Sequence, residues 1–458
     1  MSIIEELVSN VLETRFESFD LETIEQAKNR IIEVIGCLIG GANAPGCSMI
    51  VDLVKKWGGA EESTILVHGG KAPANNVAMV NSIMVRSFEF EPVEAYVEGT
   101  GSPAHISGTT VPTALAVAEQ KAASGREFIS SLVLGDDLTS RLAVASGLSF
   151  DLGWDNTGTF NMFGATAIAG RLWKLDERQM LNAFGIVLNQ LAGSLQGVYD
   201  KTHCFKLPIG LAARAGIFSA ELASQGFTGV KDPLLSKYGY FALYCRDYNP
   251  EILTKDLGKK FYADSVLKPY PACRGTHAAI DSALQIAHTH DIEPGNIDEI
   301  TVNVTAALRD GFLGQQFEIG DVPQVDAAFS LRYTVANALL RKSVRLEHFS
   351  DEFIRDPKVV ELANRIKLAA TIPPEKRLTA ELEVRMKGGE IFSTHVDVPK
   401  GDTVHNPLTK QEIKEKFRSN VTFSRTVARE NAEKALTMIE RLEEISDLGE
   451  LTSLLVKV

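Results

Sequence analysis

The stretch KPYPACRGTHAAID, residues 268–281, gathers Lys268, Tyr270, Cys273, Arg274 and His277 around two prolines that stiffen the backbone. A guanidinium grips a carboxylate through two parallel hydrogen bonds, and a fixed turn aims it, so Arg274 is the most informative cation of the chain. Its structural alternative is pairing with Asp281 or capping a helix. Lys268 precedes a proline, which biases its backbone toward extended and projects the side chain away from the turn. His277 opens a helical pattern, where a hydrogen-bonded core histidine is the alternative to an acid or base. Cys273 has no His or Asn partner at a recognisable spacing and reads as a structural thiol.

Four further residues sit where chemistry is possible. His105, in GTGSPAHISG, directly precedes an apolar helical pattern. A helix N-terminus favours the neutral imidazole, which suits a general base near neutral pH. Asp155, in GWDNTGTFN, stands at a Gly-rich turn before another helix, with N-cap duty as its simpler role. Lys206, in THCFKLPIGLAARAG, precedes a third such start. Three helix N-termini flanked by these groups would form an anion-attracting crater. Tyr333, in FSLRYTVANAL, sits on a helix; it is either core or a phenol that donates to a ligand.

These residues need a frame to hold them. The chain has 458 residues and a net charge of −12, which argues against a nucleic-acid or anionic-membrane surface. No run of eighteen apolar residues is present, so no membrane span is expected. Five cysteines without a CxxC pair, and no signal-peptide pattern, predict a reduced, cytoplasmic protein without a structural metal. No GxGxxG or GxxxxGK[ST] motif marks a nucleotide cofactor.

Helical periodicity runs through roughly the first 230 residues, with Ile24, Ala27, Ile31, Ile32 and Ile35 on one stripe of 21–42. Segments 102–125, 158–175 and 180–198 continue it. Ala, Gly and Thr at helical spacing in the first two of these predict closely approaching helices. After Lys268 the pattern mixes: a helix over 276–290, a strand in IDEITVNV, a helix over 327–342 and a hairpin over 378–401 around Gly388-Gly389. From Pro407 the chain is helical again. The fold class expected is mainly α with an α+β lid. A discontinuous helical domain (1–265 and 405–458) would be interrupted by a lid domain (266–404), with the site in the crevice between them.

In order along nearly the whole chain, IIEVIGCLIGGA (31–42), VNSIMVRSFEFE (80–91), PAHISG (103–108), TGTFNMFGATAIAGRLWKLD (157–176) and GLAARAGIFSAELASQGFTG (210–229) resemble the MmgE/PrpD family. KPYPACRGTHAAID, FSLRYTVANAL and the NPLT…KF segment from Asn406 to Phe417 extend the resemblance. The family includes 2-methylcitrate dehydratases, cis-aconitate decarboxylase and iminodisuccinate epimerase. The resemblance implies a homodimer without metal or organic cofactor, acting on a small di- or tricarboxylate between a helical domain and a lid. It matches the family's site residues to His105, Lys268, Tyr333, Glu89 and Lys206. Where the family has Phe-His-Pro-Thr-Gly this chain has Trp154-Asp155-Asn156-Thr157-Gly158, and Glu91-Pro92-Val93 replaces Asp-Asp-Thr. Extra residues also fall between Val93 and His105.

The activity expected is therefore proton movement at the carbon alpha to a carboxylate. His105, Asp155, Tyr333 and Lys268 would be catalytic, and Lys206, Arg274, Glu89 and His277 would bind substrate. A dehydratase-type lyase stands first. An epimerase of a dicarboxylate such as iminodisuccinate is the alternative, because Asp155 replaces a readily protonated histidine. A carboxylate-binding homologue without turnover is the third reading.

Overall fold

A computed structural model describes residues 1–147 and 152–457. The long helix Leu21–Gly41 begins where Asp20 accepts a hydrogen bond from the Thr23 amide at 2.7 Å, and it buries the predicted isoleucine stripe. Against it lie the almost wholly buried helices Ala74–Arg86, Ser107–Gln120 and Gly125–Ala145, and on these pack Asn161–Leu172, also buried, and Leu207–Ser224, which keeps one face exposed. Small side chains make this layering possible. A Cβ at Gly216 would stand 2.4 Å from the Ala165 Cβ and 2.7 Å from its carbonyl carbon. The helix Leu207–Ser224 therefore lies directly against Asn161–Leu172, as the Ala/Gly/Thr texture predicts.

The later part of the chain builds a four-stranded sheet in the order Ile366–Ile372, Ile297–Thr305, Ala380–Met386, Ile391–Val396. The first pair is parallel and the other two are antiparallel. The last two strands are the predicted hairpin, turned through Gly389 at φ 92°. The helices His277–Thr289 and Leu331–Arg341 pack together beside this sheet. The helix expected over 327–342 is broken: Pro323–Ala328 ends, and Ser330 restarts the chain by accepting the Tyr333 amide with its side chain.

Strands also occur outside this sheet. Val93–Val97 pairs with Thr100–Ser102 as a hairpin and with Asp264–Val266 on its other edge. The extra residues before His105 thus form a hairpin that is stitched to the chain entering the later region. The final helices return to the first: Lys410–Ser424 packs along Leu21–Gly41. No described helix is long and apolar enough to cross a membrane.

Gly216→Ala is expected to destabilise the protein by about 1–3 kcal/mol in urea unfolding, through forced separation of two packed helices. Gly295, around which a Cβ would meet nothing within 4 Å, is the control, and Gly295→Ala should leave stability unchanged.

Candidate active site

His105 leaves the Thr100–Ser102 strand and stands two residues before the helix Ser107–Gln120. Its loop is fixed from two sides. The Asp264 carboxylate accepts the Ile106 and Ser107 amides at 3.0 and 2.6 Å, and Asn161 Nδ2 donates to the His105 carbonyl at 2.7 Å. The imidazole Nδ1 lies 2.7 Å from Glu91 Oε1. Burial pushes the Glu91 carboxyl up. The Arg86 guanidinium, Lys268 and the His105 donor outweigh that and hold it well below the usual carboxylate range. An ionised carboxylate only accepts, so the shared proton belongs to Nδ1 and the lone pair to Nε2. Arg86 Nη1, 2.9 Å from Nδ1, then donates to the carboxylates instead.

Arg86 is the last residue of the helix Ala74–Arg86 and is buried. Its Nη1 donates to Glu91 Oε1 at 2.6 Å and to Glu89 Oε2. Burial works against the charged guanidinium, but Glu89, Glu91 and Asp155 together keep it charged. Glu89 has a left-handed backbone, φ 52°, a conformation that costs a non-glycine residue about 1–3 kcal/mol. Lys268 holds it there by donating to both the Glu89 carbonyl and its Oε1 at 2.7 Å. Lys416, from the helix Lys410–Ser424, donates to the carbonyls of Phe90 and Lys268 at 2.9 and 2.8 Å and pairs with Glu33. Ligand atoms of Glu89, Glu91 and His105 lie within 4.8 Å of one another, but Arg86 Nη1 already occupies the centre of that cluster. The donor set is that of a guanidinium site and does not fit a metal.

These groups form one wall of a cavity of about 210 Å3. Arg86, Glu89, His105, Asp155 and Arg274 all line it. Asp155 reaches it from the turn before Asn161–Leu172, where its amide donates to the Gly193 carbonyl at 3.2 Å. Gly193 itself is required, since its φ is 112° and a Cβ there would sit 3.3 Å from Asp155 Cβ. Asp155 Oδ1 accepts both the amide and the hydroxyl of Thr157. Asp155 therefore closes a local turn and stands on the cavity wall, while the helix itself starts at Asn161 with Phe160, not Asp155, at its N-cap.

Arg274 comes from the opposite side. Its Nη1 donates to the Lys400 carbonyl at 2.8 Å and its Nη2 to the Pro399 carbonyl at 3.1 Å, while the buried Nε has no partner among the described residues. Burial pulls its pKa down despite distant acids. Arg377 also lines the cavity and pairs with Glu94 at 2.8 Å. Cys273 lines it too, but burial pushes the thiol up to about 11, which leaves it a poor nucleophile.

Four expected site residues lie off the cavity wall. Lys268 is fully buried behind Glu89 and acts on the site only through that carboxylate. Lys206 donates to the Pro45 carbonyl at 2.7 Å and Ser87 Oγ at 3.0 Å, which ties the 42–47 turn to the end of the Ala74–Arg86 helix. His277 is fully buried, its Nε2 donates to the Ala272 carbonyl at 3.1 Å, and it is kept neutral by burial and by Arg274. Tyr333 is equally buried, and its hydroxyl donates to the His348 carbonyl. Each has its polar end hydrogen-bonded inside the protein, and none of the four lines this cavity.

Arg86, Glu91, Asn161 and Asp264 were not singled out from sequence as site residues. Glu91 enters the sequence comparison only as part of Glu91-Pro92-Val93, which replaces Asp-Asp-Thr. Its spacing of fourteen residues from His105 carries no local signal, because the intervening hairpin brings the two together. A shallower groove on the final helices, lined by Glu430, Lys434, Arg441 and Glu444, pairs these charges with one another and offers no such constellation.

Two outcomes are expected. Lys268→Ala would strand Glu89 without its ammonium partner and cost about 3–5 kcal/mol in urea unfolding. Glu91, with its folded pKa depressed, contributes stability that is present above an ordinary carboxylate pKa of about 4 and is lost as pH falls through the lower folded value. Stability of the parent protein should thus drop more steeply below pH 4 than that of Glu91→Gln.

Comparison with known proteins supplies the family. Residues 5–253 match the MmgE/PrpD N-terminal domain and residues 270–444 the MmgE/PrpD C-terminal domain. Cis-aconitate decarboxylase of Mus musculus is 24% identical, over 94% of this chain and 89% of that protein. A cis-aconitate decarboxylase-like protein of Aspergillus oryzae is 23% identical, over 98% of this chain and 96% of that protein. The 2-methylcitrate dehydratase of Cupriavidus necator is 20% identical, over 89% and 88%. With both domains matched across most of its length, the chain belongs to the MmgE/PrpD family.

Proposed function

We propose that this protein is a dehydratase-type lyase that removes the proton at the carbon alpha to a carboxylate of a small hydroxy di- or tricarboxylic acid, without cofactor or metal. The observation that carries the proposal is His105 on a cavity wall that also bears Arg274, its Nδ1 held from behind by the buried Glu91. Glu91 holds the Nδ1 proton, so Nε2 is the base, and the imidazolium that forms keeps an anion beside it. Arg274 grips the substrate carboxylate and draws charge away from the carbanion as it develops. The departing hydroxyl then takes the proton from that same imidazolium. Lys268 positions Glu89 and touches no substrate.

The relatives' names as decarboxylase and dehydratase favour a lyase over the epimerase. The protein is further proposed to act as a homodimer in the cytoplasm. Sedimentation velocity at micromolar concentration should give about twice the chain mass.

Proton NMR in D2O with citrate, 2-methylcitrate, cis-aconitate, malate, tartrate and iminodisuccinate tests the reaction. Deuterium incorporation with alkene formation from a hydroxy acid is the expected result. Exchange with inverted stereochemistry and no alkene would replace the lyase by an epimerase. Binding without exchange across the panel would leave a carboxylate-binding protein. His105→Ala should lower kcat by about 10²–10⁴-fold with the fold intact by circular dichroism, and full retention of activity would remove His105 from the mechanism.

A further inference from the structure

The half of the cavity that faces the acid–base wall is hydrocarbon. Leu195, Val198, Leu308, Phe312, Leu313 and Phe329 line it. The aromatic part is a built surface: Phe312 meets Phe329 edge to face with centroids 5.9 Å apart, and Phe329 meets Phe205 at 5.5 Å. This surface abuts the anion grip directly. A Cβ at Gly275, the residue after Arg274, would lie 2.6 Å from Leu313 Cδ1 and 2.9 Å from Leu308 Cδ2.

The charges of the site point the same way. Apart from His105, the charged side chains that line the cavity or pair with those that do are Arg86, Lys268, Arg274 and Arg377 against Glu89, Glu91, Glu94 and Asp155, and they cancel. Arg86, through Nη1 alone, and Lys268 pair with Glu89 and Glu91, and Arg377 with Glu94, so the charge of each is already matched. Arg274 alone among the cations pairs with no carboxylate in the described residues. A guanidinium has five N–H donors. Two of those on Arg274 go to the carbonyls of Lys400 and Pro399 and a third faces His277 Nδ1 at 3.4 Å, which leaves Nε and one hydrogen of Nη2. Those two lie on one edge of the guanidinium and match one carboxylate. Three carboxylates brought into this neutral, half-apolar space would leave two without a cation, and burying an unpaired charge is costly.

We infer that the substrate is a hydroxy acid carrying a hydrocarbon substituent, with one carboxylate on Arg274, the reacting carbon toward His105, and an alkyl or aryl group along the Leu308–Phe312–Leu313–Phe329 surface. A second carboxylate has room only beside Arg377, whose side chain is half exposed, where water shares its solvation. The inference rests on the assignment of this cavity as the proton-transfer site and narrows its substrate from polycarboxylates at large to apolar-substituted acids.

The test is calorimetric binding and NMR turnover of the full-length protein with malate, citrate and a series of 3-alkylmalates from methyl to hexyl. Burial of each methylene should tighten binding about fourfold until the surface is filled, with citrate and malate the weakest of the set. Phe312→Ser should flatten that slope. Arg274→Gln should weaken every member by a common factor of about ten or more. Affinity that is flat or falls with chain length, or citrate bound and dehydrated better than every alkylmalate, would overturn the inference while leaving the lyase reading in place. Failure of both sets to bind or exchange would overturn the two together.

Discussion

A guanidinium sealed from water between two carboxylates is the constraint on which the rest of the site depends. Arg86 cannot be buried without Glu89 and Glu91, and neither carboxylate can be buried without a cation. Satisfying these groups fixes where several distant segments must meet. The end of the Ala74–Arg86 helix brings Arg86, and the following loop brings both glutamates. The hairpin return brings His105, and the crossing into the later sheet region brings Lys268. Lys416, more than three hundred residues after Phe90, closes the same knot from the final helices. The left-handed backbone of Glu89 is tolerated because Lys268 binds its carbonyl and its carboxylate at once.

That network also shows how an acidic chain builds a locally neutral cavity. The net charge of −12 is a property of the whole surface, whereas the cavity is locally neutral with one uncommitted guanidinium. The buried, half-apolar surround strengthens each electrostatic interaction inside it relative to the exposed surface. The supports are themselves buried: Asp264 and Asn161 hold the His105 loop by its backbone, leaving the ring to Glu91. The orientation of the imidazole thus comes from buried groups behind it.

Much of the architecture was legible because periodicity is local. The isoleucine stripe of 21–42, the Ala/Gly helices and the 378–401 hairpin each announce their geometry within a few residues. The break before Ser330 and the strand Ile366–Ile372 were not foreseen, since a capping serine inside a helical pattern and a parallel edge strand look locally like their surroundings. The inserted hairpin before His105 showed only as extra length, because its partner strand Asp264–Val266 lies far along the chain.

Sequence alone determined the family, the mainly helical class with its α+β part, and the residue types of the site: a histidine at a helix start, an aspartate at a turn, an arginine at a stiffened one. These follow from local spacing and from motifs that occur in order. Only the tertiary structure decided which of those groups share the cavity. His105, Asp155, Glu89 and Arg274 do, whereas Lys268, Lys206, His277 and Tyr333 have their polar ends consumed by buried partners. The physical reason is that a buried polar group must find its hydrogen bonds, and whether it finds them in the protein or in a ligand depends on neighbours tens to hundreds of residues away.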